Sequence, residues 1–175
     1  MALILNGDGT VTGLAVGGLP DGTVDKDTLA VGVQSKVLQV VQGTTSTLVS
    51  NSTQTYADTG LTATITPIST TSKILVVVHH NGCRVTNGNI NNALNVNLLR
   101  DAVELSLISN SVGWTGTTLY QTNATISTSY LDSPATTSAL TYKTQFKNVG
   151  AAAAEVTLQL SGTTISTITL MEIGV

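Results

Sequence analysis

The sequence predicts an all-β protein: an antiparallel β-sandwich head with jelly-roll-like connections, preceded by an extended N-terminal arm. Three observations carry this expectation. Short runs of alternating apolar and polar residues recur from Val37 to the end of the chain, separated by turn residues. Threonine is used about thirty times, and β-branched side chains suit a pleated sheet better than a helix. The first 36 residues, by contrast, hold glycine at 7, 9, 13, 17, 18, 22 and 32 and have no sustained apolar period, so they cannot build a core of their own.

Residues 1–36 therefore form an arm that orders against something else. Fully extended, it would reach on the order of 100 Å at about 3.3 Å per residue. The head, 37–175, opens with the runs KVLQVVQ and STLVS. In LTATITP, Leu61, Ala63 and Ile65 face one side and Thr62, Thr64 and Thr66 the other, and Pro67 ends the strand. KILVVVHH is the most apolar run and predicts a central strand covered on both faces. ALNVNLLRDAVELSLI gives two alternating runs joined at Arg100 and Asp101, a hairpin. Further strands are expected around 115–121, 125–131, 140–147, 155–160 and 165–173. In LDSPATTSALTYKTQF, the Asp132-Ser133-Pro134 turn and the alternation of Leu140, Tyr142, Thr144 and Phe146 predict a second hairpin. Ala151 to Ala154 have helix propensity but too little length for a stable helix.

Composition narrows the function. The net charge is −3 and only 10% of residues are charged, with no basic run to neutralise phosphates, so nucleic acid is not an expected partner. A weakly charged, threonine-coated surface favours self-association. Cys83 is the single cysteine, which excludes an intrachain disulfide and a cysteine metal cluster; burial as a small hydrophobe is expected. The apolar start of MALILNGDGT is too short for a signal peptide or a membrane span, so synthesis in a cytoplasm without export and no membrane insertion are expected.

Chemistry-bearing motifs are sparse. His79 and His80 are adjacent, and neighbours on a strand point to opposite faces, so the pair predicts one core and one solvent histidine, not a metal site. NGDGTV lacks the later acidic ligands of a calcium loop, and Asp25 and Asp27 read as solvated. No phosphate-binding Gly-rich loop or nucleophile elbow occurs, and Asp58, Asp101, Glu104, Asp132, Glu155 and Glu172 fall mostly at turns or strand ends. No enzymatic activity, cofactor or metal is expected. Recognition is the more natural role: Asn87, Asn89, Asn91 and Asn92 in RVTNGNINNALN, with Trp114 and Tyr120 in SVGWTGTTLY, are the residue types that meet a neutral sugar. A core position is the simpler reading of Trp114 alone.

The runs KVLQVVQ, TGLTATITPISTTSKILVVV, LNVNLLRD, SYLDSPATTSALTYKTQF and STITLMEIGV together resemble the distal head domain of tailed-bacteriophage fibre proteins, as found in environmental and marine phages. GDGTVTGLAVGGLPDGTVDKDTLA resembles the Gly-rich collar before such heads. The resemblance implies a homotrimeric virion protein whose N-terminal part attaches to the particle and whose head faces outward. Taken with the amide and aromatic loop residues, the expectation is a short tail fibre or spike whose arm docks on other virion proteins and whose head serves host attachment, with a host-surface glycan as the candidate receptor. The arm's apolar Leu3, Leu5, Leu14, Val16 and Leu19 would supply the docking contacts. Fibres of this family usually carry long shafts, whereas here the arm leads almost directly into the head. A capsid decoration protein that stabilises the shell is the alternative.

Overall fold

The computed structural model describes residues 4–5, 11–12, 36–86, 92–115, 121–150 and 154–174. The chain divides into two compact units, Met1–Ser35 and Lys36–Val175. In the first, β1 (Ile4–Leu5) pairs antiparallel with β2 (Val11–Thr12).

The second unit is a sandwich of antiparallel sheets without a helix among the described residues. Its strands are β3 (Val37–Thr45), β4 (Val49–Asn51), β5 (Ala57–Ile65), β6 (Lys73–Val85), β7 (Asn92–Arg100), β8 (Val103–Thr115), β9 (Thr122–Asp132), β10 (Leu140–Asn148), β11 (Val156–Leu158) and β12 (Ser166–Ile173). One sheet has the order β5-β10-β7-β8. The other runs β3-β12-β6-β11-β4, with β9 on the free side of β6. Leaving out the short β4 and β11, successive strands distribute between the sheets as in a jelly roll, which confirms the expected fold class.

Alternation in sequence becomes alternation in burial. Along β5 and β10 every second residue is enclosed, so Leu61, Ala63 and Ile65 meet Leu140 and Tyr142 in the interior. The expected hairpin at Arg100 and Asp101 is present: Arg100 pairs with Val103, and Asp101 takes φ 54° at the turn. The Asp101 N–H donates to the Thr141 carbonyl (2.7 Å), and its Oδ1 accepts the Thr141 N–H (3.0 Å). Gly43 is required where β3 crosses β5, because a Cβ there would collide with the Thr62 carbonyl oxygen.

Two expectations are corrected. The Asp-Ser-Pro segment is not a hairpin turn: β9 lies beside β6 in one sheet and β10 between β5 and β7 in the other, so residues 133–139 carry the chain across the sandwich. Asp132 fixes that crossing. Its Oδ2 accepts from Tyr142 Oη (2.6 Å) and from Arg100 Nη1 (2.7 Å), both on the opposite sheet, while Oδ1 accepts the Ser133 N–H (2.8 Å). Burial first, and then the Asp132 carboxylate, push the Tyr142 phenol well above its ordinary pKa. Secondly, β6 is covered on one face only. Ile74, Val76 and Val78 are enclosed, but Val77 is exposed and Leu75 half-buried on the outer face. Ladder register aligns Val40, Met171, Leu75 and Leu131 as an apolar row across four strands of that face.

The interior is divided. One apolar cluster includes Leu61, Ile65, Val76, Val78, Leu98, Tyr142 and Leu170; the other holds Cys83, Val85, Val96, Phe146 and Leu158. His80 lies between Val78 and Cys83 on β6, and Thr144 between Tyr142 and Phe146 on β10, so a polar layer separates the two clusters. His80 Nε2 bonds Thr144 Oγ1 (3.0 Å), which bonds Thr59 Oγ1 (2.6 Å). On the other side Gln159 Nε2 reaches His80 Nδ1 (3.3 Å) and Ser166 Oγ (2.9 Å). As expected, His79 faces the other way, bonding Ser127 Oγ (2.8 Å). At the far end Glu172 is enclosed. Burial raises its pKa, but hydrogen bonds from Gln39 and from the backbone at Ile68 and Ser69 outweigh that and hold the carboxyl below its usual value.

Two stability predictions follow from these contacts. Asp132→Ala leaves a buried phenol and a partly buried guanidinium unpaired, and is expected to cost about 2–4 kcal/mol in chemical denaturation; Tyr142→Phe costs about 1–2 kcal/mol. Equal losses for the two would show that the Arg100 contact contributes nothing. Desolvation, with a smaller contribution from His79, depresses the His80 pKa from 6.5 to about 4. The unfolded chain therefore binds a proton below pH 6.5 that the folded chain refuses until about pH 4. Across that window stability falls by about 3 kcal/mol. His80→Gln should flatten the slope between pH 6.5 and the range around 4.5 in which Glu172 of the unfolded chain takes up its proton. An unchanged slope would place the titration elsewhere.

Candidate functional site

The loops singled out in the sequence leave the sandwich at one end. The segment 86–91 connects β6 to β7, and 116–121 connects β8 to β9. Because Val85 pairs with Thr122 and Asn92 with Thr115, the feet of both loops stand side by side. The turns after β4 and β10 reach the same end, since Val156 pairs with both Val85 and Asn51, and Asn148 pairs with Leu94.

Trp114 lies here and is 59% exposed, so the core position expected for it is corrected. Its presentation depends on the preceding glycine. Gly113 has φ 67°, and a Cβ on it would stand 2.8 Å from Val85 Cγ2 and 3.4 Å from Thr122, so the strand closes onto the other sheet at Gly113 and turns Trp114 outward.

Asn92 is corrected in the opposite sense. It is fully enclosed, and its Nδ2 donates to the carbonyl of Thr86 (2.8 Å) and, less closely, to that of Glu155 (3.4 Å). It latches the foot of the Asn-rich loop and has no surface to offer. Asn87, Asn89, Asn91 and Tyr120 lie outside the described residues, as do Leu3, Leu14, Val16 and Leu19 of the arm. Leu5 belongs to β1, where it pairs with Val11.

Two further latches were not singled out in the sequence. Asn51 Nδ2 donates to the carbonyls of Thr55 (2.9 Å) and Phe146 (3.0 Å), and its Oδ1 accepts the Thr53 N–H (2.8 Å). Asn148 Nδ2 donates to the Ala154 carbonyl (2.5 Å), and its Oδ1 accepts the Gly150 N–H (2.7 Å). Both make the side-chain-to-backbone turn two residues ahead that asparagine favours, and Asn-Ser-Thr and Asn-Val-Gly carry that signal.

The described carboxylates are engaged in the scaffold. Asp58 accepts from Gln145 (2.8 Å) and Lys143, which, against a smaller opposing effect of burial, lower its pKa. Glu104 accepts from Asn97 and Glu155 from Thr157. Burial pushes the Cys83 thiol up to about 12, so it stays protonated. Among the described residues no group of three or more His, Cys, Asp or Glu is placed to hold a metal ion, and no helix is long and apolar enough to cross a membrane.

No protein-family model matches the chain, nor does any curated protein. Among solved structures, the infectious bursal disease virus VP2 subviral particle is similar over 83% of this chain, with 10% identity and a TM-score of 0.45. The matched part is 42% of that protein's chain, so this chain spans less than half its length.

Burial separates the roles of Asn92 and Trp114. Asn92→Ala should lower stability by about 1–2 kcal/mol through the carbonyls it strands, whereas Trp114→Ala should stay within about 0.5 kcal/mol of the parent. A large loss for Trp114→Ala in thermal melts would mean that the indole is packed in solution.

Proposed function

We propose that this chain is a structural protein of a bacteriophage virion, a homotrimeric short tail fibre or spike that docks through residues 1–36 and presents the head, 37–175, to a host-surface glycan. One observation carries the reading: strand pairing brings the feet of the Asn-rich loop and of the Trp114 loop together at one end, with Trp114 exposed beside them. An exposed indole beside the foot of a loop whose sequence is rich in amides suits sugar C–H faces and hydroxyls. Double-sheet jelly rolls recur in viral capsid and lectin domains, which agrees with the sequence resemblance while leaving function to the site.

Engagement of the described carboxylates in structural hydrogen bonds favours attachment over hydrolysis. The apolar row Val40, Met171, Leu75 and Leu131 supports assembly with further copies. In a trimer, three weak head contacts act as one strong attachment through effective concentration. The same row favours a second reading, capsid decoration, in which a broad apolar face lies against the shell.

Electron microscopy of intact particles with gold-labelled antibody to 37–175 tests the placement. Label confined to the tail is the expected result; label spread over the shell selects the decoration reading. Native mass spectrometry should give three copies of the 18.0 kDa chain. A monomer across a wide dilution range removes the trimer.

A further inference from the structure

The β6–β9 ladder breaks between His80 and Cys83. At the break Gly82 takes φ 63°, and a Cβ on it would stand 2.8 Å from both the Leu160 nitrogen and Thr164 Oγ1. The loop after β11 is thus seated directly on the bulge. The N–H groups of Gln159 and Leu160 donate to the carbonyls of Asn81 (3.2 Å) and Gly82 (3.1 Å). Bulges of this kind re-aim side chains and are common beside binding sites.

Between that loop and β9 lies an open groove of about 440 Å³, within the size range of small-ligand sites. Asn81, Asn123, Thr125 and Thr164 supply its polar lining, and Ala124 and Leu160 its apolar part. The side chains of Asn123 and Thr125 have no hydrogen-bond partner among the described residues. Asn81 spends its Oδ1 on the Gly82 N–H (2.9 Å), leaving its Nδ2 protons for a ligand. None of the described lining residues is charged. Arg84, opposite Asn123 in the ladder, is not part of the lining.

We propose that this groove binds a neutral saccharide unit, an inference that rests on the receptor-binding reading and gives it a ligand class and a second contact. Carboxamides and hydroxyls both donate and accept, which matches vicinal sugar hydroxyls. The lining itself offers neutral donors and acceptors and no cation, which favours a neutral ligand over a uronate or a phosphate. Leu160 meets the sugar's C–H surface. The groove also borders the loop end: Asn123 follows Thr122, against which Gly113 packs beside Trp114 in sequence.

The test uses the full chain on an array of neutral and uronic-acid oligosaccharides, with chemical-shift mapping of the best neutral binder. Neutral oligosaccharides should bind and perturb residues 81–82, 123–125 and 160–164. Asn123→Ala should weaken binding about tenfold, as expected for one or two lost hydrogen bonds. Thr125→Trp should abolish it by filling the groove, with both variants keeping the parental melting temperature and native mass. Absence of array binding, binding of acidic oligosaccharides alone, or neutral binding unchanged in both variants overturns the proposal. Host-cell adsorption that is lost in Trp114→Ala but intact in both groove variants removes the groove and spares the receptor reading. Parent protein that binds neutral glycans through the groove but adsorbs to no host cell removes the receptor reading instead.

Discussion

The structure depends on carrying a weakly charged chain repeatedly between two sheets while keeping the polar groups at the crossings hydrogen-bonded; among the described residues a few buried atoms, Asn92 Oδ1 and Gln159 Oε1 among them, have no partner. Where β9 gives way to β10, Asp132 meets that constraint with one carboxylate, holding Tyr142 and Arg100 on the opposite sheet and the first backbone N–H of the connection. Few charges remain to do such work elsewhere. At the other crossings amides do most of it: Asn51, Asn92 and Asn148 close the loop feet, while the Glu172 carboxylate receives Gln39 and the Ile68 N–H. Buried amides are costly unless satisfied, so each of these contacts specifies a geometry as well as stabilising it.

The polar layer around His80 follows the same logic. A continuous apolar core would tolerate sliding of one sheet over the other, because hydrophobic contact is non-directional. The chain from Thr59 through Thr144 and His80 to Gln159 and Ser166 has direction, and it joins both sheets between the two apolar clusters. We read it as a register pin, in which part of the interior's hydrophobic stabilisation is replaced by a single allowed alignment.

Periodicity made much of this legible in the sequence. The enclosed faces of β5 and β10, the hairpin at Arg100 and Asp101, the opposed histidines and the buried Cys83 all follow from a period of two and from turn chemistry. Alternation says which way a side chain points, but not which sheet its strand joins. For that reason the segment after Asp132 reads as a hairpin when it is a crossing. It also does not say what covers the outer face, which is why the apolar run of β6 looks buried on both sides. The asparagines show the limit most clearly: Asn92 stands among loop amides in sequence, yet its place opposite Thr115 turns it inward, while Gly113 turns Trp114 outward.

The pairing of β3 with β12 brings the two ends of the head together, and the Gly174 N–H donates to the Lys36 carbonyl at 2.8 Å. A domain whose first and last residues are neighbours can be spliced into a loop of another protein, or exchanged for a different head, with little disturbance of the recipient's backbone. In topological terms the sandwich is a cassette: a single seam between Lys36 and Gly174 would suffice to exchange all of its loops at once and leave the flanking sequence unchanged.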